Sequence, residues 1–446
     1  MTNLIIFLIG LILMLALMMK TKLGPFMCLL LGSLVIGMAC GLGSVGAIDT
    51  IVNGFAGTCK SIGLLVIFGT ILGIYLEKTK ACQRIATTML RLTGKKNSTA
   101  ALAATGFVVA IPVFCDVAMV LLSPLIKSIA KKSDKNACAL GTVTACSLLA
   151  TNAFVAPTPA PLAVIAVLGL DIGTSILWGL PAALFVTVCV WAFGEFYLNR
   201  RPGNWFGELE SEAEKGVKEP PAAYEGDMPG FGESVLPILL PISLILLDSV
   251  FSMILPVDSV VLTIFDFLGD KQIALVIGIV AAILCLGGNM PKDQLFTPMS
   301  DALKTAGPIV FITASGGALA KIVSETGVGD TIANTLAASP IPVILIPFLI
   351  TGFSKFVQGS GSVAEVLAAG LALPLCEAGL LTPLEAFLSI SAGASLGSHV
   401  NNSFTWVFSE FMGYDIKTTL KSLCVCQNVI MSFSGLLFAV LVSLAI

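Results

Sequence analysis

Two short stretches decide the fold: Pro112-Val-Phe-Cys-Asp116 and Gln358-Gly-Ser-Gly-Ser362. Each lies in the middle of an apolar segment, residues 99–131 and residues 340–378, that is too long for one membrane span. A spanning helix needs about 20 apolar residues, and each arm beside these polar stretches is shorter than that. Proline and glycine end or turn helices. The pattern therefore predicts two re-entrant helical hairpins with these stretches at their tips.

The composition of the whole chain is typical of a polytopic membrane protein. Of its 446 residues, 56% are hydrophobic and 11% are charged, and the mean hydropathy is +0.98. Soluble domains carry about 25% charged residues, which cover their surface. This composition excludes an ordinary soluble enzyme, a disordered chain and a nucleic-acid-binding protein. The twelve cysteines lie mostly within apolar runs, so we expect neither a disulfide framework nor a metal site.

Other apolar segments predict full membrane spans. These segments are residues 4–19, 26–43, 56–76, 137–168, 173–197, 233–253, 271–289, 306–324, 383–412 and 419–443. With the N-terminus outside and both long segments treated as hairpins, most of the 24 Lys and Arg residues fall on the cytoplasmic side, as the positive-inside rule requires. We therefore expect an all-α multi-pass protein of the bacterial cytoplasmic membrane, with about 10 spanning helices plus the two hairpins.

The two halves of the chain show a collinear internal similarity. Residues 32–41 align with residues 278–287, and further matches keep the same order at a nearly constant offset. The predicted topology starts the halves on opposite sides of the membrane, so the repeats are inverted. We expect a first membrane repeat at residues 1–197, a polar cytoplasmic linker at residues 198–232 and a second membrane repeat at residues 233–446.

The first hairpin tip carries an acid at membrane depth. An ionised carboxylate there costs a few kcal/mol unless it is paired, which makes Asp116 a candidate for proton coupling. The structural alternative is a carboxylate held by neighbouring helix N-termini. Phe114 and Cys115 lie beside Asp116 and are secondary candidates for the site.

The second hairpin tip has the features of an anion site. Its glycines let the backbone come close to a ligand, and the amides of a helix start bind carboxylates. The candidate substrate-binding residues of this tip are Gln358, Gly359, Ser360, Gly361 and Ser362. Lys355 lies in the preceding apolar arm, and a buried ammonium needs an anionic partner. That partner is either a substrate carboxylate or Glu365, and the sequence leaves both open.

Two of the predicted spans are interrupted. Three prolines at positions 157, 159 and 161 break the first, and the candidates for lining its gap are Thr151, Asn152 and Thr158. The second interruption holds a cluster of polar side chains suited to substrate hydroxyls, namely Ser398, His399, Asn401 and Asn402. His399 is the only histidine of the chain, so no second histidine is present to share a metal ion.

These motifs resemble those of the gluconate:H+ symporter (gluconate permease, GntP) family. The similarity runs along essentially the whole chain and is most specific at residues 111–117, 355–360, 398–401 and 406–418. It implies a secondary transporter of the ion transporter superfamily that takes up sugar acids and related small hydroxy or amino acids with protons. It also implies an acid at Asp116, a base at Lys355, and a homodimer whose scaffold and transport domains move relative to each other.

We therefore expect an importer of a small hydroxylated monocarboxylate, D-gluconate or a related sugar acid, that works with protons by alternating access. We expect no enzymatic activity and no cofactor. Lys355 and the second tip would hold the carboxylate, and the polar side chains of the interrupted spans would hold hydroxyls. Four alternatives stay open: a Na+-coupled carboxylate transporter, a D-serine or D-glycerate:H+ symporter of the same family, a polytopic membrane enzyme, and a channel.

Overall fold

The computed structural model describes residues 2–21, 23–93, 97–133, 135–201, 228–256, 259–328, 331, 342–400 and 402–445. Within these ranges the chain forms helices and turns and no strand. Seven helical segments there are long and apolar enough to cross a membrane: Gly24–Lys78, Ala137–Leu168, Ile172–Arg200, Phe231–Ser252, Lys271–Asn289, Lys292–Glu325 and Ile416–Ala445. The prediction of an all-helical chain with several membrane spans is confirmed. Most of the predicted linker, residues 202–227, lies outside the described residues.

The helices of the first half follow the predicted order. They are α1 (Thr2–Lys20), α2 (Gly24–Gly37), α3 (Gly43–Lys78), α4 (Ala81–Thr93), α5 (Ser98–Val109), α6 (Cys115–Ser133), α7 (Ala137–Phe154), α8 (Pro159–Leu168) and α9 (Ile172–Phe196). A π-type turn, Met38–Leu42, joins α2 to α3. Helix α3 begins well before the predicted span 56–76, because Asp49 and Asn53 lower the local hydropathy without breaking the helix.

The α-helices described in the second half come next in the chain. They are α10 (Phe231–Ile254), α11 (Val260–Leu268), α12 (Lys271–Leu286), α13 (Thr297–Glu325), α14 (Leu345–Gln358), α15 (Gly361–Glu377), α16 (Pro383–Gly393), α17 (Ser403–Met412) and α18 (Ile416–Ala445). Helix α11 was not predicted, because its apolar run is far shorter than a membrane span. Helix α13 starts earlier than the predicted span 306–324, since its first turns are polar but still helical.

Both predicted helix–turn–helix units form in the described residues. In the first unit, α5 ends at Val109 and α6 begins at Cys115, and both helices pack along α7. In the second unit, α14 and α15 pack directly against each other, and Gly359 makes the turn between them with a φ of 88°. A positive φ of this size favours glycine, which explains the residue type at this tip.

The two predicted interruptions are also present. Helix α7 ends at Phe154 and α8 starts at Pro159, where a proline fits the first helical turn. Helix α16 ends at Gly393 and α17 starts at Ser403, with the Asn402 Oδ1 accepting a hydrogen bond from the Phe404 amide at 3.0 Å. We call residues 155–158 the first break and residues 394–402 the second break.

The packing between helices brings each broken span against the hairpin of the other half. The long helices α3 and α13 pack along each other, α3 also contacts α12, and α13 also contacts α2. Beyond the first break, α8 packs on α15, and beyond the second break, α17 packs on α6. The broken spans therefore contact the second arm of the opposite hairpin.

Glycines on α3 allow the first tip and the first break to approach this helix closely. A Cβ added to Gly73 would overlap the carbonyl oxygen of Pro112 at the tip. A Cβ added to Gly69 would lie 3.3 Å from the carbonyl oxygen of Pro157 in the break. Gly73 therefore lets α3 approach the first tip closely, and Gly69 lets it approach the first break closely.

Replacing Gly73 by alanine should destabilise the protein. The new methyl group meets backbone at the tip, which cannot move aside as a flexible side chain would, and overpacking of this kind costs about 1–3 kcal/mol. Gly57→Ala on the same helix is the matched control, since a Cβ there meets nothing within 4 Å. Thermal unfolding in detergent should show a lower midpoint for Gly73→Ala and an unchanged or raised midpoint for Gly57→Ala. Equal midpoints for the two variants would contradict the close contact.

Candidate functional site

The two tips and the two breaks surround a cavity of about 120 Å³. Asp116 comes from the first tip and Ser360 from the second, while Asn152 precedes the first break and Asn402 ends the second. Four elements that lie far apart in the chain therefore converge on one space.

Lys355 supplies a positive charge to this cavity. It lies in the last turn of α14, is 3% exposed, and lines the cavity. Its Nζ donates a hydrogen bond to the carbonyl oxygen of Ala394, the first residue of the second break. A buried ammonium in a membrane protein marks a site for an anionic group. The contact with Ala394 also links the second hairpin to the second broken span.

The start of α15 adds a second feature that favours anions. Ser360 precedes the helix and its Oγ accepts a hydrogen bond from the Val363 amide at 3.4 Å. Gly361 and Ser362 form the first residues of α15 and line the cavity. The amides of a helix start carry partial positive charge. Lys355 and this helix start therefore favour a carboxylate at the same end of the cavity.

Two carboxyl groups balance this positive region. Asp116 lies in the first turn of α6, is half-buried, and accepts a long contact of 3.9 Å from the Cys115 thiol. Glu365 lies one turn into α15 and is 2% exposed. The Glu365 Oε2 has no hydrogen-bond partner among the described residues. The cavity thus contains one cationic and two acidic side chains.

Several of the predicted site residues hold the backbone near the first break and do not line the cavity. The Thr151 Oγ1 donates to the carbonyl oxygen of Phe107 at 3.0 Å. The Thr158 Oγ1 donates to the carbonyl oxygen of Asn152 at 3.0 Å. Phe114 and Thr158 line a smaller neighbouring cavity of about 10 Å³, which Asn152 also lines.

Two predicted side chains of the second break, Ser398 and His399, form hydrogen bonds with neighbouring residues and do not line the cavity. The His399 Nε2 forms a hydrogen bond with the carbonyl oxygen of Phe356 at 2.9 Å, and the imidazole lies 4.7 Å from the Phe356 ring. The Ser398 Oγ lies within hydrogen-bond distance of two acceptors, the Ser395 carbonyl oxygen at 3.0 Å and the Gln427 Oε1 at 2.5 Å, which share its one hydrogen. Neither Ser398 nor His399 lines the cavity.

Gln358, Gly359 and Asn401 are the three remaining residues that the sequence predicts for the site. Gln358 and Gly359 form the turn of the second tip, but neither lines the cavity. The amide group of Gln358 is buried and has no hydrogen-bond partner in the described part of the chain. Asn401 lies outside the described residues.

The cavity also contains residues that the sequence did not single out. Ser395, Ser403 and Gln427 contribute polar side chains to its lining. Gln427 is a buried amide inside the apolar span 419–443, and a polar group at membrane depth is itself a signal of function. That signal is weak in the sequence, because residues 420–434 around Gln427 have neither proline nor glycine to mark a break.

Asn428, next to Gln427 on α18, fixes the second break. The Ser398 amide donates to the Asn428 Oδ1 at 2.9 Å, and the Asn428 Nδ2 donates to the Ser398 carbonyl oxygen at 2.7 Å. One side-chain amide therefore satisfies both backbone groups of a residue outside any helix. Backbone groups of this kind need partners from protein or water when they lie within a membrane.

A comparison with protein families agrees with this architecture. A family model described as GntP family permease matches residues 2–445. The chain belongs to the GntP permease family. As a GntP permease, it is a multi-pass transport protein of the cytoplasmic membrane and not an enzyme.

Relatives of known name span nearly the whole GntP permease chain. It is 30% identical to the high-affinity gluconate transporter of Escherichia coli over 99% of this chain and 100% of that protein. It is 30% identical to the Gnt-II system L-idonate transporter of Escherichia coli over 97% of both chains. It is 32% identical to an uncharacterized permease of Haemophilus influenzae, covering 92% of this chain and 86% of that protein.

A solved structure shares the fold. The crystal structure of the Alcanivorax borkumensis YdaH transporter superposes with a TM-score of 0.66 at 14% sequence identity, covering 94% of this chain and 98% of that chain. At this identity the likeness shows the fold alone.

Removing the amide that holds the second break should destabilise this permease. Asn428→Ala leaves the Ser398 amide and carbonyl without partners, which costs about 1–3 kcal/mol for buried groups. Thr419→Val on the same helix is the control, because the buried Thr419 hydroxyl has no hydrogen-bond partner among the described residues and its loss removes no bond. Thermal unfolding in detergent should show a lower midpoint only for Asn428→Ala. An unchanged midpoint for this variant would show that the break is held by other contacts.

Proposed function

We propose that this GntP permease imports a small hydroxylated monocarboxylate, D-gluconate or a related sugar acid, together with protons. The observation that carries the proposal is the buried Lys355 ammonium, which lines the cavity beside the start of α15. Relatives named as gluconate and L-idonate transporters support the choice of substrate class.

The carboxylate of the substrate binds between Lys355 and the amides of Gly361 and Ser362. An ammonium and a helix start stabilise an anion more strongly than either does alone. The side chains of Ser360, Asn152 and Asn402 line the same cavity and offer hydrogen bonds to substrate hydroxyls. Four predicted residues outside the lining act by bonding to backbone near the tips and breaks: Thr151, Thr158, Ser398 and His399. Gln358 and Gly359 form the turn of the second tip.

Asp116 carries the coupling proton in this proposal. It lines the cavity that receives the substrate carboxylate, and Glu365 adds a second acid there. With both acids ionised, the two negative charges outweigh the charge of Lys355, and a substrate anion would increase the imbalance. Protonation of Asp116 lowers this repulsion, so the proton and the anion bind more favourably together than separately.

The helix packing supports two inverted repeats, at residues 1–197 and 233–446, joined by the linker 198–232. The contacts are reciprocal: α8 packs on α15 as α17 packs on α6, and α3 packs on α12 as α13 packs on α2. We assign α1–α3 and α10–α13 to a scaffold domain. The two hairpins and the two broken spans form the transport domain, whose movement gives alternating access in a homodimer.

Uptake of labelled D-gluconate into proteoliposomes tests the proposal. With a neutral interior and an acidic exterior, the wild type should accumulate D-gluconate without Na+. Asp116→Asn should lose accumulation driven by the pH gradient, because the variant cannot release a proton inside. Lys355→Met should lower the rate of D-gluconate uptake by about 100-fold or more, since it removes the charge that binds the carboxylate.

Matched controls separate these effects from a general loss of charge. Asp49→Asn on the exposed part of α3 and Lys321→Met, half-exposed on α13, lie outside the cavity and should retain wild-type uptake. If uptake requires Na+, the coupling ion is sodium and not the proton. Absence of uptake under either gradient would reject D-gluconate as the substrate.

A further inference from the structure

Two buried polar groups in the cavity lining lack hydrogen-bond partners. Glu365 is 2% exposed and Gln427 is 0% exposed, and both residues line the cavity. The Glu365 Oε2 and the Gln427 Nε2 have no partner among the described residues. Buried polar groups of a folded protein are nearly always satisfied by protein, water or ligand. Both groups are therefore candidates for contact with the transported molecule.

The hydrogen-bonding role of each group follows from its neighbours and its charge state. The Gln427 Oε1 accepts a hydrogen bond from the Ser398 hydroxyl, which leaves the Nε2 as the free donor of this amide. An ionised Glu365 carboxylate can only accept hydrogen bonds. The two side chains come from different helices, α18 and α15, and both residues line the same cavity.

We propose that Glu365 and Gln427 together bind a hydroxyl group of the substrate. A hydroxyl accepts from the Gln427 Nε2 and donates to the Glu365 Oε2 at the same time. This inference rests on the proposed function, because it takes the substrate carboxylate to be held by Lys355. It assigns a specificity role to Gln427, and it makes Glu365 a ligand for the substrate rather than only a counter-charge to Lys355.

Other substrate groups cannot form hydrogen bonds with both Glu365 and Gln427. A second carboxylate is repelled by Glu365, and a methylene group leaves both side chains without partners. An ammonium donates to Glu365 but offers no acceptor to the Gln427 amide. A hydroxyl is the simplest group that satisfies both. A site built on buried polar groups rejects analogues that lack the matching group far more strongly than an apolar pocket does.

Binding to the purified permease in detergent, measured by isothermal titration calorimetry, tests this inference without transport. The probes are D-gluconate against hexanoate, and D-glycerate against D-serine and propionate. D-serine carries an ammonium where D-glycerate carries its 2-hydroxyl. The wild type should bind D-gluconate at least about 100-fold more tightly than hexanoate, and D-glycerate more tightly than D-serine or propionate. Gln427→Leu and Glu365→Leu should each reduce the preference for D-gluconate over hexanoate by about 10-fold or more.

Two further variants separate substrate contact from a structural effect. Thr419→Val, on the same helix as Gln427 and outside the cavity, should keep the wild-type preference. Ser398→Ala removes the bond to Gln427 but leaves its amide in place. If Gln427 contacts the hydroxyl, Ser398→Ala lets the Gln427 amide rotate but keeps it in the cavity, so the preference for D-gluconate over hexanoate should fall by less than in Gln427→Leu. If Gln427 only supports the second break, Ser398→Ala should lower the preference as much as Gln427→Leu does.

The outcomes distinguish this inference from the proposed function. An unchanged preference in Gln427→Leu and Glu365→Leu overturns the inference even when D-gluconate uptake is intact. Tighter binding of D-serine than of D-glycerate, lost in Glu365→Leu, also overturns it by assigning the position to an ammonium. A preference that falls in both leucine variants supports the inference even if the wild type shows no proton-driven uptake, a result that would reject only the proposed function.

Discussion

The fold depends on hydrogen bonds that satisfy the backbone of broken helices inside the membrane. Hydrocarbon offers no hydrogen bonds to free amides and carbonyls, so each break needs partners from protein or from a wet cavity. The Thr158 hydroxyl supports the first break, and the Asn428 side-chain amide supports the second. The Thr151 hydroxyl bonds to the Phe107 carbonyl near the end of α5, beside the first tip. The breaks can then place polar side chains around a cavity in a largely apolar molecule.

The same constraint explains why the charges of the site lie together. Lys355, Asp116 and Glu365 line one cavity, although they come from two different hairpins. The Lys355 contact to the Ala394 carbonyl joins the second hairpin to the second break, so movement of one element must affect the other. A carrier needs this property, because its binding site must stay intact while access to it changes from one side of the membrane to the other.

Local signals made the tips and the breaks predictable from the sequence. Glycine at 359 and the prolines after Val155 determine the backbone within a few residues, whichever helices pack beside them. The direction of side chains within the second break was not predictable in this way. His399 faces the Phe356 carbonyl because the nine-residue break turns its ring toward α14, and only the packing of distant helices sets that turn. The position of Gln427 in the cavity lining was also not predictable, since it depends on where α18 meets the second break.

In the proposed function, the cavity between the tips binds the substrate carboxylate at Lys355. A cryo-electron microscopy structure of the permease with D-gluconate would show where this carboxylate lies. We expect ligand density between the two tips, with a carboxylate oxygen about 3 Å from the Lys355 Nζ and close to the first amides of α15. Ligand density with the carboxylate away from Lys355, or outside the space between the tips, would overturn the assignment of the carboxylate to Lys355.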